Sequence, residues 1–374
     1  MMTRSLYLAM AASVGGLLGF YLLVSTVPSY VALGGAGDLG AGLATGALML
    51  ATVLMELAVP KLLATYGYRA AVALGLLLLS LPSLALPLSS GLPLVLAVCL
   101  LRGAGLGILM VTGTALMAEL VPLERRGEGL GLYGVAVGIP SIVGLPIGLW
   151  VAEHVGHTPV FLAAGVLPLL ALAAVPGLPS TKPVRATGRG SWSMAGLVAP
   201  TLVFTAVTVS VGVIMTFLPL AASPGVVSLA MLIQSLTTPA ARWWAGRFGD
   251  RNGAKALLTP SLLATAAGIA CLAVGDPVVT LAGIALFGAG FGVAMNVTLT
   301  MMLERNADSG KVSAVWNLAY DGGMGLGAAG FGLVMGVTGY AAGFVVTAVL
   351  VLAAIVPGRR TPSAEVSETA ECLS

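Results

Sequence analysis

Charge is what this chain has least of. Only 8% of its 374 residues are charged, against 58% hydrophobic, and the mean hydropathy of +1.04 excludes a soluble domain of this size. Cysteine is equally sparse. Cys99, Cys271 and Cys372 have no spacing that suits a metal site or a disulfide framework. No G-x-x-x-x-G-K-[ST] stretch exists to hold a nucleotide phosphate. G-A-G-D-L-G at 35–40 fits G-x-G-x-x-G by letter, but no strand precedes it. His154 and His157 would make a ligand pair on one loop, though a solvated loop explains them as well. These absences leave no enzyme signature, no cofactor and no metal call. The net charge of +3 carries no nucleic-acid signal, because the basic residues are spread between apolar segments.

What is present is apolar length. A bilayer-spanning helix needs about 20 predominantly apolar residues, and twelve segments qualify: 5–33, 39–59, 70–88, 92–118, 129–152, 159–176, 194–221, 225–245, 256–274, 277–303, 311–336 and 338–356. The first is too long for the apolar core of a signal peptide and reads as an uncleaved span. The 51 glycines and 21 prolines would mean disorder in a polar chain; between apolar helices they mean close packing and kinks. Basic residues set the orientation. With the N-terminus inside, sixteen of the seventeen Lys and Arg residues fall on the cytoplasmic side, Arg102 being the exception within a span. The opposite loops hold Asp38, Glu153, His154, His157 and Asp276. Both termini are therefore expected in the cytoplasm, with the protein in the plasma (inner) membrane.

The chain repeats itself. At an offset of 185 to 186, Glu56 aligns with Arg242, Gly67 with Gly253, Arg69 with Lys255 and Glu119 with Glu304, while R-G-A-G-L-G (102–107) aligns with F-G-A-G-F-G (287–292). This divides the chain into a six-helix half (1–176), a Pro-, Gly- and base-rich cytoplasmic linker (177–193), a second six-helix half (194–356) and a polar tail (357–374), expected to be disordered.

G-R-F-G-D-R-N-G-A-K at 246–255, with a worn copy P-K-L-L-A-T-Y-G-Y-R at 60–69, resembles the signature loop of the major facilitator superfamily. Ala64 and Pro60 depart from the family pattern, leaving Asp250 as the one intact loop acid. The resemblance implies an all-α membrane protein of twelve transmembrane helices in two pseudo-symmetric halves, with a site at mid-membrane. It also implies a gating loop of Gly246, Arg247, Gly249, Asp250, Arg251 and Gly253, where the acid caps a neighbouring helix. R-G-A-G-L-G resembles the family's fourth-helix arginine motif. Gly134, Gly138, Pro140, Gly144, Pro146 and Gly148 have the composition, with altered spacing, of the fifth-helix pattern of its drug:proton antiporters.

Buried charge is the functional signal, since a charged side chain at mid-bilayer costs about 2.5–3.5 kcal/mol. Arg102 lies roughly 15 Å into its span at 1.5 Å per residue. Asp321 is equally deep, within W-N-L-A-Y-D-G-G-M-G-L-G. By the family resemblance Arg102 attracts an anionic group or tunes a proton-carrying acid; otherwise it is a structural arginine paired within its half. Asp321 is either a proton carrier or a carboxylate locked to Arg102 or to backbone donors. Glu56 and Arg242, one turn before the two signature loops, suit a salt bridge between halves. Candidate cavity residues are Tyr21, Ser25 and Ser29; Thr201, Thr205 and Thr208; Gln234, Asn296, Trp316, Asn317 and Tyr320. Such residues also serve as interhelical hydrogen-bonding glue. A cavity so poor in polar groups suits a lipophilic or amphiphilic solute. The expectation is a monomeric, proton-coupled secondary transporter that exports a small molecule through the lipid bilayer. Proton-coupled uptake of a metabolite is the second expectation, and a non-transporting membrane receptor or assembly protein the third.

Overall fold

The computed structural model describes residues 4–121, 126–182, 195–304 and 309–359, and every regular element among them is helical. The first six helices are α1 (Arg4–Leu23), α2 (Thr26–Val31), α3 (Gly37–Ser80), α4 (Leu92–Leu120), α5 (Arg126–His154) and α6 (His157–Ala171). The remainder are α7 (Ala195–Ala221), α8 (Pro224–Asn252), α9 (Leu258–Leu272), α10 (Pro277–Leu303), α11 (Ser309–Ala353) and α12 (Ile355–Arg359). The expected linker beyond Lys182 and the tail beyond Arg359 lie outside the described residues.

The expected boundaries shift for local reasons. The first segment is interrupted at Val24–Ser25, between α1 and α2. Pro28 has no N–H to offer the carbonyl of residue 24, and the Thr26 hydroxyl donates to the Leu22 carbonyl at 2.8 Å. The second and third segments run together as α3. Its one non-helical residue is Gly67, at φ 78° and ψ 175°. The stretch 60–69, expected as a loop, is therefore helix with a single glycine hinge. Its repeat partner Gly253 has φ 82°, and its amide donates to the Gly249 carbonyl at 2.8 Å, closing the end of α8. The expected loop 246–255 likewise begins as the last two turns of α8. The last two segments also fuse, as α11, broken at Gly339. Eight stretches of the described residues are long and apolar enough to cross a membrane, the first running from Arg4 to Leu88 through its breaks.

The chain clusters into two compact units. One comprises Met1–Arg185, Val213–Leu232 and Ala328–Gly336; the other comprises Ala186–Gly212, Ile233–Gly327 and Val337–Ser374. In the first unit, α4 lies against both limbs of α3. A methyl group on Gly103 would land on the Leu48 carbonyl oxygen, and one on Gly107 would lie 2.6 Å from the Thr52 carbonyl oxygen. On Gly105 it would approach the Gly75 carbonyl oxygen to 2.8 Å and the Leu79 nitrogen to 2.9 Å. The Thr52 hydroxyl donates to the Gly103 carbonyl at 3.0 Å, fastening the same crossing. The second unit repeats this with α10. Methyls on Gly288 and Gly292 would strike Thr237 and Thr238 of α8, and one on Gly290 would come within 2.5 Å of the Thr265 nitrogen of α9.

Further crossings complete the first unit. Gly144 and Gly148 of α5 pack on Tyr21 and Leu22 of α1. The start of α3 meets the included segments of α7 and α11: Thr45 and Thr216 share a 2.9 Å hydrogen bond, and Gly42 faces the Ala328 carbonyl. Leu178, early in the linker, is buried, and two backbone carbonyls there are bound by the first unit. Arg69 donates through Nε and Nη2 to the Leu178 carbonyl, at 2.9 and 2.5 Å, and the Tyr68 amide donates to the Thr181 carbonyl at 3.2 Å.

Overpacking so close a crossing costs about 1–3 kcal/mol. Gly103→Ala is expected to lower the thermal midpoint of the detergent-purified protein by that equivalent. Gly330→Ala, with nothing within 4 Å of the added carbon, is expected to leave it unchanged. Equal midpoints for both variants would remove the packing role of the α4 glycines.

Candidate functional site

In the first unit the charged centre is Arg102, on α4 and fully enclosed at 0% exposure. The glycine row that begins at the next residue sets the rotation of α4, so Arg102 is turned inward by the same contacts that hold the helix. Its Nη2 donates to the Gly19 carbonyl of α1 at 3.3 Å. It lines a small cavity together with Cys99 of α4, Thr45 and Ala44 of α3, and Val24 and Val27 of the α1–α2 region. Glu56 is buried one turn after Thr52 on α3. Ser25 is buried and donates to the Met215 sulfur at 3.8 Å, while the Ser29 hydroxyl returns to the Thr26 carbonyl at 2.9 Å. Tyr21 stays half-buried beside Phe20, their ring centroids 5.0 Å apart.

In the second unit α11 carries four of the candidate residues, Trp316, Asn317, Tyr320 and Asp321. Trp316 is nearly covered, at 8% exposed, and stacks on Phe204 at 4.5 Å with the rings 13° from parallel. Its indole N–H donates to the Thr298 hydroxyl at 3.4 Å, and the Arg242 guanidinium carbon lies 5.7 Å from its ring centre. Such a cation–π contact spreads the charge of Arg242 over an aromatic face in place of water. Tyr320 adds a third ring, 6.1 Å from Phe204, and Phe291 a fourth, 6.2 Å from Tyr320. Trp316, a candidate cavity residue by sequence, is thus in stacking contact with Phe204 and mostly covered.

The remaining candidates separate by exposure. Thr208 is buried, and its hydroxyl donates to the Ala319 carbonyl at 3.0 Å, tying α7 to α11. Gln234 is buried at 4%. Thr201, Thr205, Asn296, Asn317, Tyr320 and Asp321 are all half-buried, and Asn317 and Asp321 occupy adjacent turns of one α11 face. Asn296 of α10 approaches Gly246 of α8, where an added methyl would sit 3.5 Å from its amide nitrogen. Arg247 is exposed, its guanidinium 5.0 Å above the Trp243 ring. The side chains of Asp250 and Arg251, both in the expected gating loop, lie outside the described residues.

The two outer-loop histidines are engaged separately. His154 stacks on Trp150 at 4.6 Å and contacts its carbonyl through Nδ1 at 2.9 Å, whereas His157 packs on Tyr30 at 5.1 Å. Asp276, expected merely as a loop acid, caps α10 by accepting from the amides of Val278 and Val279 at 2.9 and 3.0 Å. The signal was legible in Asp276-Pro277, an N-cap acid before proline at the first helical position.

Membrane-length helices, buried charge and glycine-mediated crossings define an all-helical, multi-pass membrane protein. Residues 9–221 and 191–371 each match the Major Facilitator Superfamily, and the chain belongs to that family. Its fold is similar to the partially occluded, inward-open xylose transporter XylE from E. coli, with a TM-score of 0.77 at 14% identity, covering 97% of this chain and 99% of that one. It is also similar to the nucleoside transporter NupG, with a TM-score of 0.71 at 16% identity over 95% of this chain and 99% of that one. Among curated relatives, the Mycobacterium tuberculosis protein "Uncharacterized MFS-type transporter Rv1250" is 29% identical over 174 residues, 44% of this chain and 30% of that protein. The riboflavin transporter RibZ of Clostridioides difficile is 28% identical over 89 residues, 24% of this chain and 20% of that protein. The chain thus spans less than a third of the length of these two curated relatives.

Removing the Trp316 ring should leave a large cavity beside Phe204 and uncover Arg242. Trp316→Ala is expected to cost about 3–5 kcal/mol of stability, whereas half-exposed Asn317→Ala should stay within about 0.5 kcal/mol. Thermal unfolding of the two variants checks the division between packing and site residues.

Proposed function

We propose that this protein is a secondary active transporter that couples a proton gradient to the export of a small lipophilic or amphiphilic compound by alternating access. The observation that carries the reading is Asp321. It is a half-buried carboxylate on the helix face that also bears Asn317, next to an aromatic cluster in which the Trp316 indole N–H donates to Thr298 and the ring stacks on Phe204. A carboxylate that is neither fully solvated nor fully enclosed can gain and lose a proton as its surroundings change, which is what coupling requires. Aromatic walls with few free polar groups favour an apolar solute over a sugar. The glycine- and proline-containing α5 supports export, as the drug:proton antiporter pattern implies.

Splitting α3 at Gly67 and α11 at Gly339, with α2 joined to α1 and α12 to the end of α11, gives twelve rods. Among the described residues that count supports twelve spans with both termini on one side, and the distribution of basic residues favours the cytoplasmic side of an inner membrane for a monomer. Proton-coupled import is the second reading, favoured by the names of the solved structures, which include a D-xylose-proton symporter.

Two experiments test these readings. Asp321→Asn keeps size and hydrogen bonding but cannot titrate. It is expected to abolish gradient-driven solute movement while solute binding survives, and to remove the proton release or uptake seen when solute is added to purified wild type. Equal proton counts from both proteins would exclude Asp321 as the coupling site, and the sign of flux in inverted vesicles separates export from import. For topology, Val274→Cys, 65% exposed just before the α10 cap, should react with an impermeant thiol reagent in intact cells, and Cys372 only in opened ones. Reversed sidedness would overturn the orientation.

A further inference from the structure

Arg102 is the largest fully buried side chain, and its hydrogen bonding is unfinished. Nη2 meets the Gly19 carbonyl, but Nε and Nη1 are buried with no hydrogen-bond partner among the described residues. A guanidinium carries five donors and no acceptor, and it stays charged in proteins. The remaining cavity walls supply little to satisfy it. Six lining side chains, including Leu23, Pro28 and Leu48, are apolar. Thr45 shares its hydroxyl with Thr216 at 2.9 Å, and Cys99 is a free, buried thiol. The nearest route to satisfaction is an acceptor that enters the cavity. The cavity is small, with room for one small occupant beside the guanidinium.

We infer that this cavity is a binding site for one small inorganic anion of chloride size, held by Nε and Nη1 of Arg102. Three observations select that class. The uncompensated charge is positive, so a neutral water would satisfy hydrogen bonds but leave the charge unscreened among apolar side chains. The small space beside the guanidinium favours a single-atom anion over a polyatomic one such as sulfate. The walls mix N–H donors, a thiol and aliphatic carbon, and a spherical, polarizable anion tolerates that mixture because it needs no directed set of donors. Bound there, the anion neutralises the one arginine that the α4 glycine row prevents from reaching solvent.

The inference is independent of coupling and direction of transport. Chloride binding by a protein that moves no solute leaves it standing, and flux without chloride binding removes it alone. The test uses full-length protein purified in detergent with gluconate as the only anion. Radiolabelled chloride is expected to bind saturably at one per chain and to raise the thermal midpoint at constant ionic strength. Bromide should compete, and sulfate should not. Arg102→Gln should weaken binding by at least about tenfold, the loss of a charge-assisted contact. Should that variant fail to fold, Ala44→Val narrows the same cavity with Arg102 intact and is expected to produce the same loss. No saturable chloride binding to wild type, sulfate competing as well as bromide, or undiminished binding in the variants that fold would each overturn the site.

Discussion

Alternate glycines let α4 touch two helix segments at once, and much of the packing in each unit follows from that contact. Gly103 and Gly107 lie one turn apart and meet carbonyl oxygens of the first limb of α3, while Gly105, on the opposite side, meets the second limb. Lipid tails are as apolar as leucine, so a bilayer gives helices little hydrophobic reason to associate. Close van der Waals contact and interhelical hydrogen bonds must do so instead. The Thr52 hydroxyl on the Gly103 carbonyl supplies the second of these at the very point where the first is tightest. A single methyl would push the backbones apart and break both together.

This contact also decides what the polar residues can do. Once the glycine row fixes the rotation of α4, Arg102 has no route to the surface, and its environment is set by backbone geometry rather than by a partner acid. In the second unit α10 is held the same way, and the candidate residues lie mostly on α11. There Trp316 takes the packing role and accepts the charge of Arg242 on its face, leaving Asn317, Tyr320 and Asp321 half-exposed. Buried hydroxyls such as Ser25 and Thr208 are consumed in holding helices together. Their short side chains reach a neighbouring backbone or sulfur before they reach a cavity.

Hydropathy located nearly every helical segment, because apolar length is a property of composition alone. It could not show that segments 39–59 and 70–88 form one helix hinged at Gly67. A polar stretch reads as a loop whether the backbone unwinds or only bends, and here one positive-φ glycine does the bending. The docking of Leu178–Thr181 was hidden for another reason. Arg69 satisfies a carbonyl 109 residues away, a contact that no local pattern encodes. The cover over Trp316 was not legible, because sequence spacing gives the face of a helix but not which neighbour, here Phe204, lies against it. Asp276, by contrast, was readable as a cap from two adjacent residues.

The internal repeat separates framework from chemistry. Positions that repeat as glycine, 103, 105 and 107 with 288, 290 and 292, solve the same packing problem twice. Gly67 and Gly253 likewise repeat the same backbone hinge. At charged positions the copies diverge: Arg102 aligns with Phe287, and Glu56 aligns with Arg242. Phe287 fills its place with a stacked ring, 5.8 Å from Phe291, and asks nothing of its surroundings. Arg102 fills the equivalent place with a charge that its own unit does not balance among the described residues. A side chain that is expensive to bury, in a scaffold that demonstrably accepts a phenylalanine at the matching position, is not there for packing. The two copies therefore share one packing solution and differ in what it encloses, a ring in the second unit and a charge in the first.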